Sequence, residues 1–372
     1  MVKDLYGPTD VLVAGGGPAG LAAALALRQR GFEVTVADGC APPIDKACGE
    51  GLMPDGVAAL ERLGVCLPRV EGYRFHGIRF VSSGLRVEAR FPHGPALGAR
   101  RTSLHRSMVE HAERSGVRFL WRSVVTGLHP DGVLVQGRLV RSRWTIGADG
   151  GDSRVRRWAG LDVHRQRQTR FAFRRHYRVA PWSELMELHW GRGCQLYLTP
   201  VGPNEICVAL LSRDPSLRQD EAVGQFPEVQ QRLNGVEHGS VERGAVSVTR
   251  RLARVCRGHV ALIGDASGGV DAITGEGLCL AFSQAELLGD CLVSGNLAWY
   301  QTGHRALARR PAMMGRALLF LENRQRLRRR MMQAFISEPK LFTGMLAAHV
   351  GATSTRDAAA NGLALSWKLL TA

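Results

Sequence analysis

No two cysteines in this 372-residue sequence stand in Cys-x-x-Cys spacing, and no group of His and Cys residues has zinc-ligand spacing. The eight cysteines are scattered along the chain instead. Their pattern excludes a recognisable disulfide framework, and we expect no metal site. It indicates free thiols in a reducing, cytoplasmic compartment.

Membrane spans and secretion signals are also lacking. The longest apolar run, Val11 to Leu27, is rich in glycine and interrupted by Pro18, whereas a span needs about 20 consecutive apolar residues. No signal-peptide pattern is visible. We therefore expect a cytoplasmic protein, long enough for two or three domains.

Acidic residues are few beside the basic ones: 33 against 49, a net charge of +16. Such an excess suggests nucleic acid or anionic lipid as a partner. About half of it lies between Arg305 and Arg330, where nine arginines accompany one glutamate. Because the chain has no zinc finger, helix-turn-helix or aromatic RNA-binding signature, we expect no nucleic-acid partner.

Residues 10–38 carry the strongest local pattern in the chain, a strand, a glycine turn, a helix and a second strand that ends in an acid. In such a unit Gly15 permits the tight turn, Gly17 lets the backbone approach a pyrophosphate, and Gly20 lets helix and strand pack closely. Asp38 stands where an acid accepts hydrogen bonds from an adenosine ribose. The pattern predicts a dinucleotide-binding unit.

The other predicted elements divide the chain into a discontinuous nucleotide domain and an insertion. We assign residues 1–164 and 251–300 to the nucleotide domain, with a 73–100 hairpin that contributes to the substrate side. Residues 165–250 predict an inserted antiparallel β-sheet domain for substrate, including one helix over Asp220–Leu233. Residues 301–372 predict a C-terminal helical segment.

Two further motifs extend this interpretation: WTIGADGGDSRVR at 144–156 and GHVALIGDASGGVDAITGEGLCLA at 258–281. Together with GGGPAG near the start, they resemble the three signatures of the p-hydroxybenzoate hydroxylase superfamily of flavoproteins. That superfamily includes flavin monooxygenases, flavin-dependent halogenases and geranylgeranyl reductases. The resemblance spans nearly the whole chain and implies an α/β fold with a Rossmann-like FAD-binding domain.

The resemblance also implies residue roles. Asp265 would bind the ribitol chain of FAD, and the turn Gly275–Gly277 would bring backbone N–H groups under the flavin pyrimidine. Asp149 would support the pyrophosphate loops, Arg101 would reach the cofactor from a helix start, and Val125 would lie at the adenine. The alternatives are a turn cap for Asp265, turn chemistry for Asp149 and a solvated charge for Arg101. The full predicted FAD-binding set is Gly15, Gly17, Pro18, Ala19, Gly20, Asp38, Lys46, Arg101, Val125, Asp149, Gly264, Asp265, Gly275, Glu276 and Gly277.

No second glycine motif followed by an acid is present, so the sequence predicts no separate nicotinamide domain. The family pattern implies instead that NAD(P)H docks transiently on the FAD-bound fold. NAD(P)H is therefore the expected electron donor.

The loop Lys46–Pro54, KACGEGLMP, is the most informative about chemistry. It is similar to the Cys-Gly-Gly-Gly-Leu-Ser loop of geranylgeranyl reductases, with Glu50 in place of the central glycine. Cys48 is the predicted catalytic residue, because a thiol near the cationic Lys46 can be reactive. The alternative is that Cys48 only fills space beside the ring.

Two absences bear on the reaction. The Trp-x-Trp-x-Ile-Pro stretch of halogenases and the Pro-x-x-Tyr-x-Trp-x-Phe-Pro motif of reductases are both missing. Tyr197 and Pro200 stand in the corresponding region and are predicted to line the substrate cavity. His176 and His189 lie on predicted strands, and neither is assigned as a base.

These features favour an NAD(P)H- and O2-dependent monooxygenase that hydroxylates a hydrophobic aromatic substrate, such as a polyketide-like phenol. The alternative is a reductase of isoprenoid double bonds in a lipid. A non-catalytic flavin- or lipid-binding protein is the third hypothesis.

The C-terminal segment mixes Leu, Met and Phe with clustered Arg. One interpretation is an amphipathic helix on an anionic membrane, where a lipid-like substrate could enter. The other is a helix that caps the flavin domain, with its apolar face in the core and its arginines in water.

Overall fold

The computed structural model describes residues 6–67 and 70–371. Its helices are α1 Pro18–Gln29, α2 Pro54–Arg62, α3 Arg101–Arg114, α4 Arg154–Trp158, α5 Gln219–Val223, α6 Pro227–Leu233, α7 Gly277–Val293, α8 Leu297–Glu322, α9 Gln325–Ser337, α10 Pro339–His349 and α11 Thr355–Thr371. Its strands are β1 Thr9–Ala14, β2 Val34–Ala37, β3 Gly51–Leu52, β4 Tyr73–Phe75, β5 Gly77–Ser82, β6 Leu85–Arg90, β7 Ala96–Gly98, β8 Arg118–Leu120, β9 Val125–His129, β10 Gly132–Val135, β11 Arg138–Gly147, β12 His164–Tyr177, β13 Met186–Trp190, β14 Cys194–Gly202, β15 Glu205–Ser212, β16 Arg243–Leu252, β17 Cys256–Arg257, β18 Val260–Leu262 and β19 Gly268–Gly269.

The first large sheet has the order β17-β18-β11-β1-β2-β8, and β9 and β10 extend it beside β11. Strands β18, β11, β1, β2 and β8 run parallel. Parallel strands are buried on both faces, and Val11, Leu12 and Val13 accordingly have no exposed surface. This parallel core with its helices confirms the predicted α/β fold class.

The second large sheet has the order β19-β16-β12-β15-β14-β13-β5-β6. It is antiparallel except where β5 joins β13 in parallel. The β5–β6 hairpin therefore belongs to the same sheet as the strands of residues 165–250. The start of the predicted 73–100 hairpin is interrupted at His76, so that β4 pairs with β7 in a small three-stranded sheet.

The single helix predicted over Asp220–Leu233 is wrong, because the chain forms two short helices there. α5 ends at Val223, and α6 begins at Pro227. Proline lacks the N–H that would continue a helix, and it forces the preceding residue out of the helical region. Phe226 accordingly lies outside the helical region, with φ −126° and ψ 79°.

Helix α8, the first of the C-terminal helices, packs its inner face against the nucleotide-binding half. Tyr300 is fully buried, and its hydroxyl donates to the Leu262 carbonyl at 2.7 Å. At the other end, the buried Glu322 carboxylate pairs with Arg170 of β12 at 2.7 Å. None of the helices in the described ranges is long and apolar enough to cross a membrane.

Candidate active site

The glycine turn between β1 and α1 leaves no room for side chains where the chain crosses itself. Gly15 has φ +114°, and a Cβ there would lie 2.4 Å from the Ala148 carbonyl oxygen. A Cβ on Gly20 would lie 1.9 Å from the Gly15 oxygen. Around Gly17, by contrast, the space beside the backbone is open. The turn thus presents bare backbone to a cleft.

The start of α1 faces this cleft without a capping side chain. Gly17 occupies the N-cap position, and no side chain of the described residues bonds to the first N–H groups. Uncapped N–H groups and the positive end of the helix dipole favour an anion. Pro18 and Ala19 line the same cleft. The turn is therefore suited to hold a diphosphate.

The three sequence motifs meet around this turn. The Gly15 turn packs against Ala148 from the second motif, as the 2.4 Å approach shows. Gly264 from the third motif has φ +58°, and a Cβ there would lie 2.7 Å from the Ala19 Cβ. Segments far apart in sequence therefore form one cleft.

Asp38 stands at the end of β2, beside the glycine turn. Its carboxylate accepts hydrogen bonds from the backbone N–H groups of Gly16 and Cys40, both at 2.7 Å. Each carboxylate oxygen keeps a further acceptor site. The side chain lines the cleft, where a ribose hydroxyl can reach it.

Asp149 is held mainly by local structure. Its carboxylate accepts hydrogen bonds from the Ser153 hydroxyl and from the N–H groups of Arg154 at 2.7 Å and Val155 at 3.1 Å. It thereby fixes the start of α4, which matches the turn-chemistry alternative. Asp149 also lines the cleft, so that it supports the loop that Gly15 contacts.

Lys46 and Asp265 face each other across the cleft. The Lys46 Nζ lies 2.8 Å from an Asp265 carboxylate oxygen, and the Asp265 side chain is 56% exposed to the open cleft. Partial desolvation inside the cleft works against ionisation of Asp265, but the positive charges of Lys46 and Arg101 outweigh it and lower the pKa of that carboxyl. Asp265 is therefore a charged hydrogen-bond acceptor, as binding of a ribitol chain requires.

Arg101 and Val125 also line the cleft. The Arg101 Nε is buried and has no hydrogen-bond partner in the described part of the protein. A buried donor without a partner is destabilising, and an anionic cofactor would supply the acceptor. Together with the open space at Gly17, this orphaned donor shows that the residues present fit FAD.

The turn Gly275–Gly277 presents its two glycines to the cleft, and Gly277 begins α7. Gly275 adopts φ +68°, and the space beside both glycines is open. A helix N-terminus at this position favours negative charge on a flavin ring. This turn therefore presents backbone N–H groups to the cleft, and their contact with the cofactor stays a prediction.

The Glu276 side chain points away from the cleft, into a second cavity between α2, α7 and α8. Its carboxylate is 2% exposed and lies 3.4 Å from the Arg310 guanidinium and 3.6 Å from His349 Nδ1. Burial raises the pKa of Glu276 to about 8, although Arg310 acts in the opposite direction. Glu276 thus contributes to the flavin turn by its backbone alone.

The cofactor cleft and the space beside the large antiparallel sheet form one continuous cavity of about 620 Å³. This volume lies within the usual range for small-molecule sites. The sheet side of the lining is largely apolar. It includes Ala172, Met186, Ala209, Leu211, Val246 and Val248.

Tyr197 lines this cavity, but its hydroxyl already donates to the Ile273 carbonyl at 2.7 Å. Burial raises the pKa of Tyr197 well above its ordinary value. Pro200, also expected to line the cavity, is not one of the residues that line it. Its carbonyl oxygen would be 1.8 Å from a Cβ on Gly98, because this end of β14 packs against β7.

Cys48 lies at the cavity on the loop before β3, half-buried. The Glu50 N–H donates to its sulfur at 3.4 Å. The Cys207 thiol, in the sheet, donates to the Cys48 carbonyl at 3.8 Å. The loop that carries Cys48 is therefore attached to the second large sheet.

Glu50 is the main anchor of this loop, although the sequence predicted no role for this residue. Its carboxylate accepts the Arg101 N–H at 2.9 Å and lies 2.6 Å from Nε2 of His176. Glu50 is buried and adopts φ +58°, an unusual conformation for a residue with a side chain. The sequence feature that could have indicated this role is the occurrence of Glu50 at a position where related loops have glycine.

Glu50, His176 and Cys207 offer atoms within 4.8 Å of one another that could hold a metal ion. The Arg174 guanidinium lies 3.6 Å from Glu50 and opposes a cation there. Both ring nitrogens of His176 also have partners already, Glu50 and the Ser240 hydroxyl. We therefore interpret the cluster as a hydrogen-bonded anchor.

The cleft has the shape for a dinucleotide, carries a glycine turn at each end and opens into an apolar cavity. These features are typical of flavin-dependent proteins. The family described as the FAD binding domain matches residues 8–295, which is more than half of the chain. The chain belongs to this FAD binding domain family, and it is an FAD-dependent oxidoreductase.

Relatives of similar sequence carry several activities. Menaquinone reductase from Mycolicibacterium smegmatis is 29% identical over 79% of this chain and 78% of its own length. Digeranylgeranylglycerophospholipid reductase from Methanosarcina acetivorans is 26% identical over 78% of this chain and 75% of its own length.

Solved structures share the fold at lower identity. A flavoprotein/dehydrogenase from Cytophaga hutchinsonii superposes with a TM-score of 0.84 at 17% identity, over 98% of this chain and 99% of that chain. A probable FAD-dependent monooxygenase from Pseudomonas aeruginosa superposes with a TM-score of 0.71 at 22% identity, over 86% and 97%. The arrangement of the two sheets is thus shared with flavoproteins.

Proposed function

We propose that this protein is a monooxygenase that uses NAD(P)H and O2 to hydroxylate a hydrophobic aromatic substrate, of the class of long-chain or polyketide-like phenols. The apolar sheet side of the cavity, opposite the cofactor cleft, carries this proposal. Such a wall binds an aromatic or aliphatic body and excludes water from the reacting atoms.

Bound FAD would supply the two-electron chemistry and the activation of oxygen. The start of α1 would hold its diphosphate, Asp265 its ribitol, and the N–H groups at Gly277 its pyrimidine edge. Since these contacts come from separate segments, the cofactor would be fixed in one position relative to the sheet. The apolar wall would then orient the substrate against the cofactor.

Three side chains of the sheet that could act as an acid or a base have partners elsewhere. The Tyr197 hydroxyl bonds to a backbone carbonyl. His176 is paired with Glu50, and His189 lies 2.8 Å from Glu187. Hydroxylation of a phenol suits this arrangement, because the substrate's own hydroxyl makes the ring electron-rich.

A second candidate is reduction of an isoprenoid double bond in a lipid, which the names of the two reductase relatives favour. Saturation adds a hydride to one carbon and a proton to the other. The Cys48 thiol, at the cavity, is a side chain that could deliver the proton. The hydride would come from the reduced cofactor.

Isotope labelling separates the two reactions. The holoenzyme is incubated with NADH or NADPH, a long-chain alkylphenol panel and ¹⁸O2, and products are analysed by mass spectrometry. Our proposal predicts a product that contains one ¹⁸O atom, and the coenzyme that supports it identifies the donor. A menaquinone or digeranylgeranyl lipid that gains two hydrogens under anaerobic reducing conditions, with no ¹⁸O product from any phenol, would overturn it in favour of the reductase.

A further inference from the structure

One face of α8 carries alternating arginines and large apolar side chains, all exposed. We call it the α8 face, and it consists of Trp299, Arg305, Arg309, Met313, Arg316 and Phe320. At 3.6 residues per turn these six positions fall within an arc of about 120° and extend about 32 Å along the helix. Trp299 is 63% exposed, Met313 61% and Phe320 52%.

The α8 face is distinct from the face by which α8 packs. Tyr300, Pro311 and Leu318 are buried on the opposite side of the helix. The exposed apolar residues are therefore not needed to attach α8 to the core. Large apolar side chains held in water along one stripe indicate a surface that another phase or molecule covers.

The charge of the α8 face is of one sign. Residues 297–321 contain no Asp or Glu, and the one carboxylate of α8, Glu322, is buried against Arg170. The ion pairs of α8 with acids come from Arg310, which reaches Asp55 and Glu276 on its inner side. Three further exposed arginines follow on α9, Arg326, Arg329 and Arg330.

We propose that the α8 face lies on an anionic lipid bilayer, with the helix axis in the plane of the membrane surface. Trp299, Met313 and Phe320 would enter the boundary between headgroups and acyl chains. Arg309 and Arg316 would extend to the lipid phosphates, whereas Arg305 donates to the Ala253 carbonyl at 2.8 Å. This places the protein peripherally on the membrane.

Nucleic acid fits the α8 face less well. A phosphate backbone would contact the arginines but would leave Trp299, Met313 and Phe320 against polar, hydrated groups. A bilayer surface accommodates both kinds of side chain in one stripe, as amphipathic interfacial helices do. The proposal rests on this face and not on the reaction; a membrane-dissolved substrate would simply be the natural companion of such a site.

Vesicle co-sedimentation of the holoenzyme tests the proposal. We expect binding to vesicles of phosphatidylglycerol and phosphatidylcholine at low salt, and little binding to pure phosphatidylcholine. The variant Arg309→Gln/Arg316→Gln should lower the partition coefficient roughly tenfold or more, since each basic residue contributes about 1 kcal/mol at such a surface. The variant Trp299→Ser/Met313→Ser/Phe320→Ser should lower it as well.

Arg106 and Arg114 are exposed on α3, away from α8, and Arg106→Gln/Arg114→Gln is the matched charge control. It should bind vesicles like the wild type, and all variants should retain FAD. No binding of the wild type to anionic vesicles would overturn the proposal, as would equal loss in the control. Tight binding to duplex DNA or RNA that needs Arg309 and Arg316 but not the apolar residues would also overturn it. None of these results depends on which reaction the enzyme catalyses.

Discussion

The carboxylate of Glu50 lies 2.6 Å from Nε2 of His176, a residue of strand β12 in the second large sheet. Through this contact the loop that carries Cys48 is fastened to the wall opposite the cofactor cleft. Glu50 holds a left-handed backbone conformation, which is unfavourable for a residue with a side chain and persists only where surrounding contacts enforce it. The loop is thus positioned by a long-range contact.

Replacement of Glu50 by Ala is expected to destabilise the protein by about 2–4 kcal/mol, because Arg174 and His176 lose a buried partner. Urea unfolding of the holoenzyme measures this change. The exposed Glu88, which pairs with Arg79 on the β5–β6 hairpin, is the control, and Glu88→Ala should change stability by at most about 1 kcal/mol. Equal effects of the two variants would show that the Glu50 contact does not anchor the loop.

Asp265→Asn is expected to weaken FAD binding roughly tenfold or more, since a charged acceptor is replaced by a neutral amide. Lys46 would also lose its partner in the free cleft. Fluorescence titration of the apoprotein with FAD measures the affinity. Unchanged FAD affinity would assign Asp265 to capping its own turn, the alternative role, rather than to the cofactor.

Glu276→Gln tests the buried carboxyl behind the flavin turn. The pKa of Glu276 is raised from 4.5 to about 8, so the fold favours its protonated form. Its stabilising contribution is present below about pH 4.5 and is lost as the pH rises towards 8. The wild type should therefore lose about 2–4 kcal/mol relative to Glu276→Gln between pH 5 and pH 9.

Denaturant unfolding at both pH values measures this difference, and titrating groups that do not contact Glu276 cancel in the comparison. Asp290→Asn, an exposed carboxylate on the same helix, is the matched control and should follow the wild type within about 0.5 kcal/mol. A pH-independent difference between the wild type and Glu276→Gln would show that the carboxyl is ionised in the fold.

For the double-bond reduction, Cys48→Ala is expected to lower turnover at least about tenfold while FAD stays bound, because in that reaction the thiol delivers the proton at the cavity. Steady-state kinetics and the FAD content of the purified variant measure the two effects separately. Cys66, an exposed cysteine, supplies the control Cys66→Ala. Unchanged kinetics for Cys48→Ala would leave Cys48 as a residue that only fills space.

Local sequence was sufficient for the parts of the cleft that short segments form. The turn at Gly15, Gly17 and Gly20 follows from a strand–turn–helix pattern within a few residues, and each glycine has a steric or open-space reason in the structure. Gly275 and Gly277 belong to the same class. The α/β fold could therefore be predicted.

Contacts between distant segments could not be predicted in this way. Glu50 and His176 are far apart in sequence, and nothing near either residue indicates the other. Pro200 was placed by motif position, but the packing of β14 on Gly98 turns it away from the cavity.

We conclude that three separate segments form one FAD site, in which the flavin ring would be open to an apolar cavity. The most direct measurement is the FAD content of the purified protein, released by denaturation and quantified against the chain, with a Gly20→Val variant as comparison. We predict a yellow protein with about one FAD per chain, and loss of FAD in the variant because Gly20 contacts the Gly15 carbonyl. A colourless wild type that does not bind added FAD would contradict the account.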